Sequence, residues 1–279
     1  MPSSTGVEPL ALFNNPVGFQ ALPVRVQLAR DLPGTLNLLG AMGYREIELC
    51  SFKGFAGDPL RGDFGRLADV KAMEVRRAIA DSGMTARSCH FKLAEFEDTR
   101  ISATLEWAAA LGLTYLVITD FQFVSEEWQQ TFDRTNACGE RLRMDGFQLA
   151  IHTTVDIWKR QDGESAFATM LREVEPENCV YQLDLSTTLM NGIDAGQCME
   201  SHPGRFFSLH LRDGRKPPEP VRYLPALPLG QGGIDFKRVL VGAKAAGVRS
   251  YIVEMTVMPP EDSILAYQKS ADFIRCFYQ

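Results

Sequence analysis

Eight short apolar runs alternate with eight helix-patterned stretches from residue 24 to the end of the chain. That alternation constrains the fold more than any motif does. Strand, helix and strand in succession make a right-handed crossover, and repeated crossovers make a parallel sheet. The runs are 24–28 (VRVQL), 46–50 (EIELC), 86–91, 115–120, 147–153, 180–185, 206–211 and 250–255. Apolar stripes at helical spacing occupy 31–43, 70–82, 99–111, 125–144, 164–174, 195–201, 236–246 and 262–278. Asp31 is the expected cap of the first helix, Ser125-Glu126-Glu127 resembles a capping box, and Gly43, Gly83, Gly112 and Gly247 stop helices. Eight such units in about 250 residues match a closed (β/α)8 barrel better than an open sheet. No linker or composition break divides the chain, so residues 1–279 are read as one barrel domain.

Composition narrows the partners. Hydrophobic residues make up 45% and charged residues 23%, as in an ordinary globular protein. A net charge of −6 argues against nucleic acid or an anionic membrane surface as partner. There is neither an 18-residue apolar run nor a basic leader followed by an apolar core, so the expected compartment is cytoplasmic. The six cysteines, 50, 89, 138, 179, 198 and 276, form no CxxC pair, which fits neither a disulfide framework nor a zinc ribbon. Cys50, Cys89 and Cys179 read as small buried hydrophobes. No GxGxxG follows the first run and there is no P-loop pattern, so a nucleotide fold is not favoured.

Four strands turn polar at their carboxyl ends. FFSLHLRD (206–213) ends in His210, Arg212 and Asp213; LAIHTTVD (149–156) offers His152 or Asp156; VYQLDLSTT (180–188) offers Asp184; YIVEMT (251–256) offers Glu254. Three of the four histidines, His90, His152 and His210, lie near strand ends, whereas His202, in SHPG, reads as an exposed loop residue. The carboxyl ends of barrel strands share one mouth, so Glu48, His90, His152, Asp156, Asp184, His210, Arg212 and Glu254 should converge there. Carboxylates with imidazole suit Mn²⁺, Mg²⁺, Co²⁺ or Zn²⁺, and no thiolate set singles out zinc. Glu48 and His90 are either substrate contacts or rim residues paired with neighbours. Arg212 is either a guanidinium fork for a substrate hydroxyl or carboxylate, or a solvated rim residue. Two long loops flank the mouth. Residues 51–69 are rich in glycine, and their Phe52, Phe55 and Phe64 either form a lid or pack the loop down; residues 214–233 contain five prolines.

VQLARDLPGTLNLLGAMGYREIEL (26–49), LDLSTT (183–188), SLHLRD (208–213), GQGGIDFKRVL (230–240) and VEMT (253–256) together resemble the xylose-isomerase-like TIM barrel superfamily. The branch they are most similar to is the sugar phosphate isomerase/epimerase group, with its ketose 3-epimerases, inosose dehydratases and dehydroshikimate dehydratases. The similarity runs in order over nearly the whole chain. It implies a divalent metal ion held by an acid of strand five, Asp184 of strand six, His210 of strand seven and Glu254 of strand eight. An ungapped match brings Asp156 to the strand-five position, where the family carries Glu, and His152 is its rival as ligand or substrate contact. Thr187 stands where several members have histidine, which disfavours multi-zinc, phosphodiester-cleaving relatives.

The chemistry implied is proton abstraction next to a carbonyl of a keto sugar or sugar derivative, with a metal-stabilised enediolate. Glu254, and more weakly Asp156, take the role of base; Arg212, His152, His90 and Glu48 are the substrate-side residues. Two alternatives stay open. One is a lyase that dehydrates a keto sugar, keto-inositol or shikimate-type ring. The other is a non-catalytic sugar-binding barrel whose metal site has decayed. The expected partner is a small sugar or polyol, and a homo-oligomer is left open.

Overall fold

In the computed structural model, which describes residues 15–58, 62–120, 128–161, 163–216, 221, 223–256 and 258–277, eight parallel strands close on themselves. They are β1 (Val17–Gln20), β2 (Glu46–Cys50), β3 (Ser88–Phe91), β4 (Tyr115–Ile118), β5 (Gln148–His152), β6 (Cys179–Asp184), β7 (Phe206–Leu211) and β8 (Ser250–Val253). Each pairs with its sequence neighbour, and β1 pairs with both β2 and β8, which completes the (β/α)8 barrel. A two-residue antiparallel ribbon, Arg160–Gln161 with Glu164–Ser165, stands outside it.

The first strand is displaced from its expected place. Residues 24–28 are not a strand; a short helix, α1 (Arg25–Arg30), covers most of them. VRVQL alternates like a strand, but Val24 and Leu28 are also spaced i and i+4, and those two are the residues buried to about 1% exposure or less. The true β1, VGFQ, has a glycine at its second position, which hides it from a pattern search. That glycine is required: a Cβ on Gly18 would lie 2.7 Å from both the Glu46 carbonyl oxygen and Ile252 Cδ1.

The helices follow the expected order. Asp31 caps α2 (Leu32–Met42), accepting from the Gly34 amide at 2.9 Å, and Gly43 ends it at φ +111°. Next come α3 (Ala72–Asp81), α4 (Ile101–Leu111), α5 (Trp128–Met144) and α6 (Ala166–Glu173). The expected capping box at 125–127 lies outside the described residues. α7 (Leu185–Asn191), which the pattern did not suggest, precedes α8 (Ala195–Glu200), α9 (Phe236–Ala246) and α10 (Pro260–Arg275). Among the described residues no helix is long and apolar enough to cross a membrane.

The first and last elements of the barrel are locked together by aromatic packing. Phe19, Tyr44 and Tyr267 meet edge to face, each pair of ring centroids 5.7 Å apart. The Tyr267 hydroxyl donates to the Gln20 carbonyl at 2.8 Å, so α10 pins β1 into the sheet. Phe52 stacks on Phe64 at 5.8 Å and meets Trp107 edge-on, while Phe55 is buried. These aromatics pack the 51–69 loop down and do not form a lid. Inside the barrel the amino-terminal half is plugged. Tyr115 stacks on Phe207 at 4.2 Å, with Val117 and Ala150 beside them, and Arg87 donates to Glu46 at 2.8 and 3.3 Å. The buried histidines and the acids beside them occupy the other half of the lumen.

A candidate metal centre at the carboxyl mouth

Alternate residues of a barrel strand point inward, and parallel pairing aligns their ends. Asp184 pairs in register with His210, and Ile252, two residues before Glu254, pairs with His210 on the other side. A register shift between Tyr181 and Gln182 adjusts β6 against β7 just below this row. Asp184 is also the N-cap of α7. Its Oδ1 accepts from the Ser186 amide at 2.7 Å, which leaves Oδ2 directed at Arg212 (3.3 Å) and His152 (3.6 Å).

His152, Asp184, His210 and Glu254 each offer a ligand atom, and these four atoms lie within 4.8 Å of one another. That span suits donors placed about 2.0–2.4 Å from a common cation. At its centre is His210 Nδ1, 2.5 Å from Glu254 Oε2 and 3.2 Å from His152 Nε2. Two carboxylates and two imidazoles suit a divalent first-row ion or Mg²⁺. The crowding of acceptors around one ring nitrogen needs either a proton or a cation between them, so the residues present fit a metal.

Electrostatics agree. Burial opposes an imidazolium at His210, but Glu48 and Glu254 hold its pKa up at about 9. Burial likewise opposes ionisation of Asp184, yet Arg212 and His152 draw it down to about 2. Glu254 is held well below the usual carboxylate range, burial being outweighed by His210 and Arg212. His152 moves the other way: burial pushes its pKa below the ordinary value, with Asp184 opposing, and the neutral form that ligation needs is favoured.

His152, Asp184 and Glu254 line the floor of a cavity of about 250 Å³, with His210 fully buried behind them, and its wall includes His90, Asp120, Thr154, Asp156, Ser186, Thr187, Arg212, Tyr223 and Thr256. Asp156 reaches this wall but not the cluster. After His152 the chain turns into a 3-10 helix, Val155–Trp158, and the Asp156 carboxylate pairs with Lys159 at 2.8 Å. His152 therefore stands where the sequence left two candidates. Glu48 does not line the cavity; it is fully buried beneath His90 and His210. Arg212 is not a solvated rim residue. It is 5% exposed, donates to Asp184 and to the Leu224 (2.9 Å) and Thr256 (3.3 Å) carbonyls, and its Nε has no partner. Thr187 bridges the Trp158 indole and the Asp184 carbonyl.

Sequence reasoning missed Gln20, Ser88, Gln182 and Ser208, all fully buried in the lumen below the cluster. A signal was present: Ser88, Gln182 and Ser208 each lie two residues before a strand-end ligand type, His90, Asp184 and His210, on the same inward face. Asp213, next to Arg212, accepts from the amides of Gly214, Gly230, Gly232 and Ile234 at 2.8–3.2 Å and so fastens both ends of the 214–234 loop.

The fold and the site together define a class, the closed parallel (β/α)8 barrel with an acid–imidazole cluster at its carboxyl mouth. Within that class the chain belongs to the xylose isomerase-like TIM barrel family, whose model matches residues 36–276. No curated protein matches the sequence. Among solved structures it is similar to a sugar phosphate isomerase/epimerase from Parabacteroides distasonis, with a TM-score of 0.76 at 19% identity, covering 98% of this chain and 97% of that one. A xylose isomerase-like TIM barrel protein from Mycobacterium smegmatis in complex with magnesium has a TM-score of 0.67 at 14% identity, covering 96% and 97%. An L-ribulose 3-epimerase has a TM-score of 0.65 at 15% identity, covering 95% and 94%.

Proposed function

We propose that this barrel is a divalent-metal-dependent isomerase or epimerase that moves a proton next to the carbonyl of a keto sugar or sugar derivative. The observation that carries the reading is the convergence of His152, Asp184, His210 and Glu254, three of which line the floor of a cavity sized for a small polyol. These four residues hold the ion, and His152, not Asp156, is the strand-five ligand. When bound, the ion supplies Lewis acidity to a carbonyl oxygen and its neighbouring hydroxyl.

The chain's own groups do the rest. Glu254 takes and returns the proton; its second oxygen accepts from the Thr256 hydroxyl, which holds the carboxylate plane. Arg212 fixes Asp184 and brings its guanidinium to the cavity wall, where it favours an electron-rich substrate oxygen. Asp120, Asp156, Ser186 and Thr187 on the wall match a ligand rich in hydroxyl groups. Tyr223 and Leu224, from the loop fastened by Asp213, cover one side and reduce access of water.

The test is solvent exchange. Protein loaded with Mn²⁺, Mg²⁺, Co²⁺ or Zn²⁺ is incubated with a panel of keto sugars in D₂O, and deuterium next to the carbonyl is read by NMR. Exchange with epimer or isomer formation is expected, with Glu254→Gln at least about a hundredfold slower while metal content stays high. A Gln variant that keeps its metal and exchanges at the wild-type rate moves the base elsewhere. An ultraviolet-absorbing enone product replaces the isomerase reading with elimination. Absence of metal uptake and of exchange in the wild type leaves a sugar-binding barrel.

A further inference from the structure

Beneath the cluster lies a buried hydrogen-bond chain whose direction can be read from one backbone group. The Leu22 amide donates to Gln20 Oε1. A backbone N–H can only donate, so the other end of that side chain is its NH₂. Gln20 Nε2 faces His90 Nδ1 at 3.2 Å, so His90 Nδ1 accepts and its proton sits on Nε2. Against burial, Glu48 holds the pKa of His90 well above its ordinary value, yet a protonated Nδ1 would oppose the Gln20 N–H at 3.2 Å, so in this geometry Nδ1 is the acceptor. His90 Nε2 then donates to Gln182 Oε1 at 2.8 Å and to Glu48 Oε1 at 2.9 Å. With its oxygen so used, Gln182 turns its NH₂ to Glu48 Oε2 at 2.6 Å. Ser88 donates to the same oxygen at 2.7 Å.

The chain ends on Glu48, to which His90 Nε2, Gln182 Nε2 and Ser88 donate, and so does His210 Nε2, at 2.6 Å from Oε1. The carboxylate, with no exposed surface, accepts from four side chains and has no capacity left for a substrate. From this we infer that Glu48 is a positioning residue: it takes the Nε2 proton of His210 and thereby turns the Nδ1 lone pair toward the metal site. Gln20, Gln182 and Ser88 hold Glu48 in the orientation this requires. A carboxylate behind a ligating imidazole fixes its tautomer and raises its basicity, and losing such a partner typically lowers metal affinity 10–100-fold. The inference rests on the proposed metal site but concerns a residue outside it.

The experiment compares wild type with Glu48→Gln. Gln keeps the volume but replaces one acceptor oxygen with a donor that must face either the two histidine N–H groups or Ser88 and Gln182. Titration with Co²⁺, followed by visible absorption and calorimetry, is expected to show affinity about 10–100-fold weaker in the variant, with altered d–d bands. Histidine ¹⁵N NMR of the Zn²⁺-loaded wild type should place the remaining His210 proton on Nε2. That measurement decides the matter if Glu48→Gln does not fold. Unchanged Co²⁺ affinity and spectrum in a folded variant, or a His210 proton on Nδ1 with Zn²⁺ bound, overturns the inference alone. A wild type that takes up neither ion overturns the metal reading, and this inference with it.

Discussion

A proton and a cation compete for His210 Nδ1, and the competition has a predictable size. In metal-free protein, burial disfavours the imidazolium, but Glu48 at 2.6 Å and Glu254 at 2.5 Å hold the pKa at about 9 against an ordinary value of 6.5. The perturbation is chelator treatment followed by a rise in pH. A group whose folded pKa is raised contributes its full stabilisation below the unfolded value and loses it as pH climbs through the folded one. The window is therefore 6.5 to about 9. It corresponds to roughly 3 kcal/mol of unfolding free energy, read by urea denaturation at stepped pH. The metal-loaded protein should behave oppositely. Expelling the proton at pH 7 weakens apparent affinity about a hundredfold relative to pH above 9, so Mn²⁺ binding should tighten about tenfold per pH unit from 7 to 8.5. Each ion should release about one proton at pH 7, measurable by calorimetry in buffers of different ionisation enthalpy. A stripped protein whose stability is flat across the window, with no proton release on Mn²⁺ binding, refutes the reasoning.

Asp156→Asn should bind Mn²⁺ like wild type, because its carboxylate is paired with Lys159, whereas His152→Gln should weaken binding tenfold or more; calorimetry giving the reverse order would put Asp156 in the fourth position. Asp213→Ala removes the shared acceptor of four loop amides and should cost roughly 3 kcal/mol in urea denaturation, with Asp213→Asn recovering about half. Gly18→Ala forces a methyl against the Glu46 backbone and Ile252 and should destabilise by about 1–3 kcal/mol; a variant as stable as wild type by thermal melting would show that the barrel can spread at that point.

Much of the barrel was legible because strands and helices leave local signatures. VYQLD and FFSLHL are apolar runs whose ends turn polar, and the Asp31 cap and the Gly43 stop are set by residues within a few positions of each other. For the same local reason Asp184, His210 and Glu254 could be named from the chain alone. Ambiguity arose where one pattern served two structures. VRVQL satisfies both the strand and the helix period, and the Asp184-Leu-Ser-Thr-Thr run conceals a cluster carboxylate that is also a helix cap. His152 and Asp156 lie four residues apart, the resemblance putting Asp156 first, and only the 3-10 turn after β5 sends His152 to the cluster and Asp156 to Lys159. Glu48 looked like a residue of the mouth because it is an acid set inside the apolar run 46–50. Closure of the barrel decided otherwise: it set Glu48 between His90 and His210, residues 42 and 162 positions away along the chain. Local sequence determines which residues sit at strand ends and which way they face. The neighbours they meet inside the lumen depend on strand register and barrel closure, which are long-range properties that no stretch of sequence carries by itself.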